Sequence, residues 1–439
     1  MKDLIQHITI AFLSISFFIP SNIQAQAIQE LSLEQAINLA LANHQQLKVS
    51  AEAIKISEQQ TEIAKLQRLP NIAAAASAAY ISDAVILDKD FSKVSTLPIP
   101  HFGNSYGVQA SQLLYKGGVI KKSIELAGIR EQLASLDLIK DQQAIKFLVI
   151  SNYLDISKLL NQKKVYENNK ILAQQRQDNI TKYYNQGLVT RNELIRSELT
   201  LQQIDQAILV TTNSVDILNH NLGVALGLPA DVVIKPTQDI ANRTVVEDKM
   251  HYVQLAYAEN PALRAANKNI ELAAKNTELI RTDKYPALSA VGGYNMQRPI
   301  TNVRPAMDMY SNTWQVGVSL SYSIDNLYKS KKRIKLGELQ QSQATEALQL
   351  WQENVEMSVN AAYVKYKESL QNANIFLKSQ GLAQENYKII EAKYLNQLAI
   401  QAEMTDATNA KLEAELQYVN AEINIIYQYY NLIKATGTL

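Results

Sequence analysis

The chain has 439 residues, with 43 basic and 42 acidic side chains and no cysteine. Balanced charge argues against a nucleic-acid partner, which requires a basic excess or patch. The absence of cysteine excludes disulfides, thiolate metal sites and a thiol nucleophile, and with them a lipid anchor of the kind attached through an amino-terminal cysteine.

Residues 1–27 read as a secretory signal. Lys2 gives a weak positive start, Ile8–Ile19 is an apolar run too short to span a bilayer, and Ala25-Gln26-Ala27 offers a small-x-small cleavage pattern. A buried amino-terminal helix is the competing reading. No later run of about 18 apolar residues exists, so a membrane crossing by this chain must use strands.

A first repeat occupies residues 28–229. A helix is expected from about Leu31 to Leu69, with Ser32 as N-cap and Gln35 completing a capping box. Pro70 stops it. Strands are expected at about 71–85 and 104–115, and the intervening Val85–Gly103, with Pro98 and Pro100, reads as a loop. After Gly117-Gly118 comes Val119–Tyr184, a run of good helix formers without a proline. Such a run makes a helix of roughly 100 Å. It cannot wrap a compact core and must run beside other helices. It breaks at Tyr184-Asn185-Gln186-Gly187-Leu188, and a return helix ends at Leu226-Gly227-Leu228-Pro229. Residues 230–249 form a polar linker with Pro236 that could pack as an extra element.

A second repeat, residues 250–439, keeps the order. Tyr252–Lys284 is expected as a helix, and Tyr285-Pro286-Ala287 repeats the stop at Leu69-Pro70-Asn71. Strands follow at about 287–299 and 312–324, separated by a loop with Pro299 and Pro305. The second long helix spans Lys329–Tyr394. Along it Val355, Val359, Ala362, Tyr366, Ala373, Phe376, Ala383, Tyr387, Ile390 and Tyr394 keep the 4,3 spacing of a coiled-coil seam, weakened at Ser369 and Gln380. It breaks at Tyr394-Leu395-Asn396-Gln397-Leu398, and a return helix runs to the end.

The strand at 312–324 carries the clearest membrane signal. Trp314, Val316, Val318, Leu320 and Tyr322 point one way; Thr313, Gln315, Gly317, Ser319 and Ser321 point the other. Apolar-out, polar-in alternation is the pattern of a transmembrane β-barrel. A half-buried strand of a soluble sheet would look similar, but four strands, each beside a long helix, favour the barrel. A membrane sheet must close, and the smallest barrels need about eight strands. Four strands per chain therefore require several chains.

The sequence offers no chemistry. His7, His44, His101, His220 and His251 are scattered, without metal-ligand spacing. No phosphate-binding Gly-rich loop precedes a lysine, and no serine nucleophile motif occurs. No catalytic, cofactor-binding or metal residue is assigned, and the chain is not expected to be an enzyme.

Taken in order, Leu31-Ser32-Leu33-Glu34-Gln35-Ala36-Ile37 with Ala40-Leu41, Arg68-Leu69-Pro70, Tyr115-Lys116-Gly117-Gly118, Tyr184-Asn185-Gln186-Gly187-Leu188-Val189-Thr190 with Glu193-Leu194, Asp406-Ala407-Thr408 and Gly437-Thr438-Leu439 carry a resemblance. The chain resembles the TolC-like outer-membrane efflux proteins over essentially its whole mature length. The resemblance implies a mainly α fold with a membrane β part. It implies a homotrimer, with a β-barrel of about twelve strands continuous with an α-barrel of about twelve helices. Such proteins sit in the cell outer membrane and extend into the periplasm. They are passive channel-tunnels for drugs, metals, toxic compounds or polypeptides, docked to a periplasmic adaptor (membrane fusion) protein and an inner-membrane pump. A soluble periplasmic coiled-coil adaptor or scaffold is the alternative, although an adaptor has one helical hairpin and this chain has two.

The resemblance also assigns sites. Tyr184, Gly187, Leu188, Thr190, Gln397 and Leu398 fall at the tip turns that meet the adaptor; an ordinary hairpin turn is the plainer reading. Gly187 suits a left-handed helix end, whereas Gln397 in the matching place leaves the second turn's geometry open. Glu403 and Asp406 match acidic rings that narrow the closed tunnel and favour cations. A solvated first-turn acid pair favourable to the helix dipole fits them as well. Glu193 takes the corresponding place after the first turn. Tyr394 matches a gate position or is a plain seam tyrosine. Trp314, Val316, Val318, Leu320 and Tyr322 would face lipid.

Overall fold

The computed structural model describes residues 28–229, 232–237 and 247–439. The expected signal, 1–27, lies outside the described residues, as do 230–231 and 238–246 of the linker.

The chain begins with strand β1 (Ile28–Leu31) and helices α1 (Leu33–Asn43) and α2 (Gln45–Leu66). The capping box at α1 forms as expected: Ser32 Oγ accepts from Gln35 N, and Ser32 N donates to Gln35 Oε1 at 2.9 Å. The single helix expected over Leu31–Leu69 is therefore a strand and two helices. The break is tertiary in origin. His44 turns extended (φ −60°, ψ 128°) although its N–H still reaches Ala40 O. There the end of α4 (Arg191–Leu226) arrives, with Asn43 Nδ2 donating to Leu226 O at 3.2 Å. Gly227 (φ +70°) approaches so closely that an added Cβ would sit 2.8 Å from Asn43 Cβ.

Strand β2 (Asn71–Tyr80) follows Pro70 and ends before residue 85. The segment expected as a loop holds a hairpin of β3 (Ala84–Leu87) and β4 (Lys93–Leu97). Its turn is closed by Asp90 Oδ1, which accepts from both Ser92 N and Ser92 Oγ, next to Phe91 at φ +64°. Strand β5 (Phe102–Tyr115) leads into α3 (Val119–Asn185), and α4 returns. In the linker, β6 (Val233–Pro236) pairs in parallel with β1. Ile234 N donates to Asn219 Oδ1 on α4 at 2.8 Å.

In the second half the helix expected over Tyr252–Lys284 is divided into α5 (Lys249–Glu259), α6 (Pro261–Arg281) and a 3-10 turn, Thr282–Lys284. Pro261 has no N–H and cannot continue a helix; it opens α6 instead, with Asn260 Oδ1 capping Ala262 N at 2.9 Å. Strands β7 (Ala287–Arg298) and β8 (Ser311–Ser321) precede α7 (Asn326–Leu395) and α8 (Gln401–Thr436). Because β8 ends at Ser321, Tyr322 lies past the strand in which it was expected.

The described residues fall into two compact units. The first comprises residues 28–44, 148–229, 232–237 and 370–427. Val149, Ile150, Ile156, Leu222 and Leu226 are fully buried in it, and Tyr153 donates its hydroxyl to Leu31 O at 2.9 Å. The second comprises 45–147, 247–369 and 428–439. It holds the sheet and a tyrosine cluster: the Tyr252 and Tyr363 rings lie 6.1 Å apart, and those of Tyr366 and Tyr429 5.8 Å apart. The seam positions Val355, Val359, Ala362, Tyr366, Ser369 and Tyr387 are all buried.

Candidate functional site

Four strands form one antiparallel sheet in the order β2-β5-β7-β8. Its register aligns the side-chain faces across all four strands. The rung Trp314↔Tyr294, Tyr294↔Val108, Val108↔Ala74 is apolar throughout, as is Asn312↔Met296, Met296↔Tyr106, Tyr106↔Ala76 except at its first member. The intervening rung, Thr313↔Asn295, Asn295↔Gly107, Gly107↔Ala75, faces the other way with Gln315, Gln109 and Ser111. On that face Ser77 and Ser105 share a hydrogen bond of 2.9 Å. A strand's side chains alternate with period two, so one register places every apolar set together. Trp314 and Val316 are 78% and 80% exposed, and Val318 and Leu320 are exposed beside them. Burying large apolar side chains is worth about 1.5–3 kcal/mol each, a gain that these exposed residues do not make within the described chain. Among the described residues, β2 and β8 each pair on one side only.

The two helix turns have the same backbone. At the first, Gly187 (φ +71°) donates to Tyr184 O at 2.9 Å and Leu188 N to Tyr183 O at 2.9 Å. At the second, Gln397 (φ +62°) donates to Tyr394 O at 3.0 Å and Leu398 N to Lys393 O at 2.8 Å. Both are Schellman ends, so glutamine adopts the conformation that glycine takes in the first copy. Tyr184, Leu188, Thr190 and Leu398 are exposed around them. Thr190 stands at the N-cap of α4 without a side-chain cap bond.

The four acidic and gate candidates divide. Glu403 Oε2 accepts from Ile400 N at 3.0 Å, a carboxylate on its own helix start, which the helix dipole favours. Asp406 is exposed on the side of α8 away from the buried Met404 and Ala407. Tyr394 is half-buried: burial raises its phenol above the ordinary pKa, and the field of the Glu193 carboxylate raises it further.

A polar cluster between α3, α7 and α8 was not anticipated. Arg176 donates to Thr408 Oγ1 at 2.8 Å and to Tyr387 OH at 3.1 Å. Tyr387 donates in turn to Glu391 at 2.7 Å, and burial and that carboxylate together raise its pKa. Lys411, almost buried, pairs with Glu415 at 3.0 Å, and Asn169 Nδ2 donates to Glu415 at 2.8 Å. The signal was available, because Met404, Ala407, Lys411 and Ala414 are buried at 3,4,3 spacing, which puts a lysine in an apolar seam. Among the described residues no group of His, Asp or Glu could hold a metal ion, and no helix is long and apolar enough to cross a membrane.

The outer membrane efflux protein family matches residues 36–228 and 252–438. The chain belongs to this family. It is 20% identical over 418 residues to the outer membrane efflux protein BepC of Brucella suis, across 94% of this chain and 87% of that one. The fold is similar to that of the outer-membrane channel OprN, with a TM-score of 0.78 at 14% identity, covering 93% of this chain and 90% of that one. It is also similar to the outer membrane protein VceC of Vibrio cholerae, with a TM-score of 0.75 at 14% identity, covering 92% and 96%. The efflux protein is thus an outer-membrane channel component and a passive one, not an enzyme.

Proposed function

We propose that the efflux protein works as a homotrimer. Three four-stranded sheets join edge to edge into one barrel of about twelve strands, continuous with a tunnel of long helices reaching into the periplasm. The two repeats, 28–229 and 250–439, each supply a strand pair and a helical hairpin, joined by the linker at 230–249. The tunnel takes small molecules or polypeptides from an inner-membrane pump through a periplasmic adaptor, which meets the exposed Leu188 and Leu398 and the turns at Gly187 and Gln397. The observation that carries this reading is the two-faced sheet with unpaired edges at β2 and β8. An open edge is an association liability and a large exposed apolar face marks a protein or membrane contact, and backbone groups in lipid must be paired. Glu403 and Asp406, multiplied by three, form an acidic constriction that binds cations.

Detergent-purified protein is expected to have the mass of three chains and to open conducting pores in planar bilayers. Replacing Glu403 with Gln and Asp406 with Asn should relieve block by divalent cations. A monomer soluble without detergent would overturn the channel reading in favour of a soluble adaptor or scaffold. An unchanged block would remove only the constriction.

A further inference from the structure

The start of α7 carries charge that the structure does not neutralise. Immediately after the apolar strand β8 come the exposed Ile324, Leu327 and Tyr328, followed within two turns by Lys331, Lys332 and Lys335. Tyr328, Lys332, Lys335 and Leu339 are spaced i, i+4, i+7, i+11 and share one helix face. The opposite side, with Ser330, Ile334 and Gly337, is buried; a Cβ on Gly337 would meet Thr277 of α6 at 2.6 Å. Among the described residues, the acidic side chains Asp325, Asp283 and Glu338 at this end of α7 already have cations. Asp325 is held by Lys329 at 2.6 Å, Asp283 by Lys116 at 3.4 Å and Arg333 at 3.3 Å, and Glu338 by Arg281 at 3.3 Å. Lys331, Lys332 and Lys335 have no such partner among the described residues.

We propose that this face docks on anionic phospholipid headgroups, in the membrane leaflet from which the helices emerge. Continuity with the lipid-facing strand sets the depth: Trp314 to Leu320 lie in hydrocarbon, Ile324, Leu327 and Tyr328 at the interface, and the lysines one to two turns further along α7. An aromatic ring followed by long cationic side chains is the chemistry of a headgroup layer. Lysine near an anionic surface gains roughly fivefold in partition, so three together select strongly for charged lipid. The inference rests on the membrane reading of the sheet.

The test uses the full-length protein, wild type and Lys331→Gln/Lys332→Gln/Lys335→Gln, purified in detergent and given phosphatidylglycerol or phosphatidylcholine. Lipid retained on the protein is counted by native mass spectrometry, and pore formation in planar bilayers is measured alongside. Wild type should retain phosphatidylglycerol over phosphatidylcholine at least tenfold, an advantage that falls as salt rises, and the triple variant should lose most of it while still forming pores. Equal preference in the two proteins, with pores intact, overturns the lipid site and leaves the channel reading standing. So does protection of these lysines from acylation in lipid-free oligomers, which would mean that a second copy covers them. Failure of wild type to form pores overturns the channel reading and, with it, the proposal.

Discussion

Gly187 and Gln397 meet the same backbone demand with different residues. Nothing lies within 4 Å of a Cβ built on Gly187, so Gly187→Ala introduces backbone strain alone. A left-handed L-residue costs about 1–2 kcal/mol, and Gln397 already bears that. Hydrogen exchange at the Leu188 amide should therefore quicken about fivefold or more in Gly187→Ala. At the Leu398 amide it should hold or slow in Gln397→Gly, whose relief is partly offset by a more flexible unfolded chain. Unchanged exchange at Leu188 would mean that the turn is not governed by its left-handed residue. Gly187 was readable as a helix end from the sequence; Gln397 was not, because its side chain gives no local signal for positive φ.

Among the elements, the long helices follow directly from proline-free composition, and α3 and α7 begin and end within a few residues of expectation. What joins them was less legible. Lys411 sits in an apolar seam and is held by Glu415 one turn along α8, itself held by Asn169 from distant α3. Removing one member of such a pair leaves a charge without its partner. Lys411→Met should lower local stability by about 1–3 kcal/mol. Lys411→Met/Glu415→Leu should recover most of it. Protection of the α8 amides between Met404 and Ala414 reports both. A double variant worse than the single one would show that Glu415 stabilises the seam through Asn169 even without Lys411. Helix interruptions divide likewise: Asn260-Pro261 is a stop that the sequence itself contains, whereas the break at His44 exists because Gly227 and Leu226 arrive there.

For the whole molecule, the proposed barrel assigns the apolar face of the sheet to lipid and the polar face to the lumen. Val316 and Gln315 are neighbours on one strand and stand on opposite faces of the sheet, so on that assignment they meet different media. Val316→Arg places a charge in lipid at about 2–4 kcal/mol near the bilayer midplane and should reduce the folded, heat-modifiable protein recovered from outer membranes. Gln315→Arg should fold normally and change ion selectivity. The opposite pair of outcomes would invert the face assignment. Alternation on β8 foretold its two faces, while β2, mostly alanine, showed none until its pairing with β5 aligned it.

The sequence by itself determined the long helices, the capping box at Ser32, the stops at Pro70 and Pro286, and the alternation of β8. Each depends on side-chain geometry or hydrogen bonding within a few residues. Tertiary structure alone decided that β5 of the first half pairs with β7 of the second, that β6 joins β1, that residues 84–97 fold as a hairpin, and that Arg176 meets Thr408 and Tyr387. Most of these pairings bring together segments a hundred or more residues apart. Their energy comes from register, burial and shared hydrogen bonds, which exist only once both partners are in place.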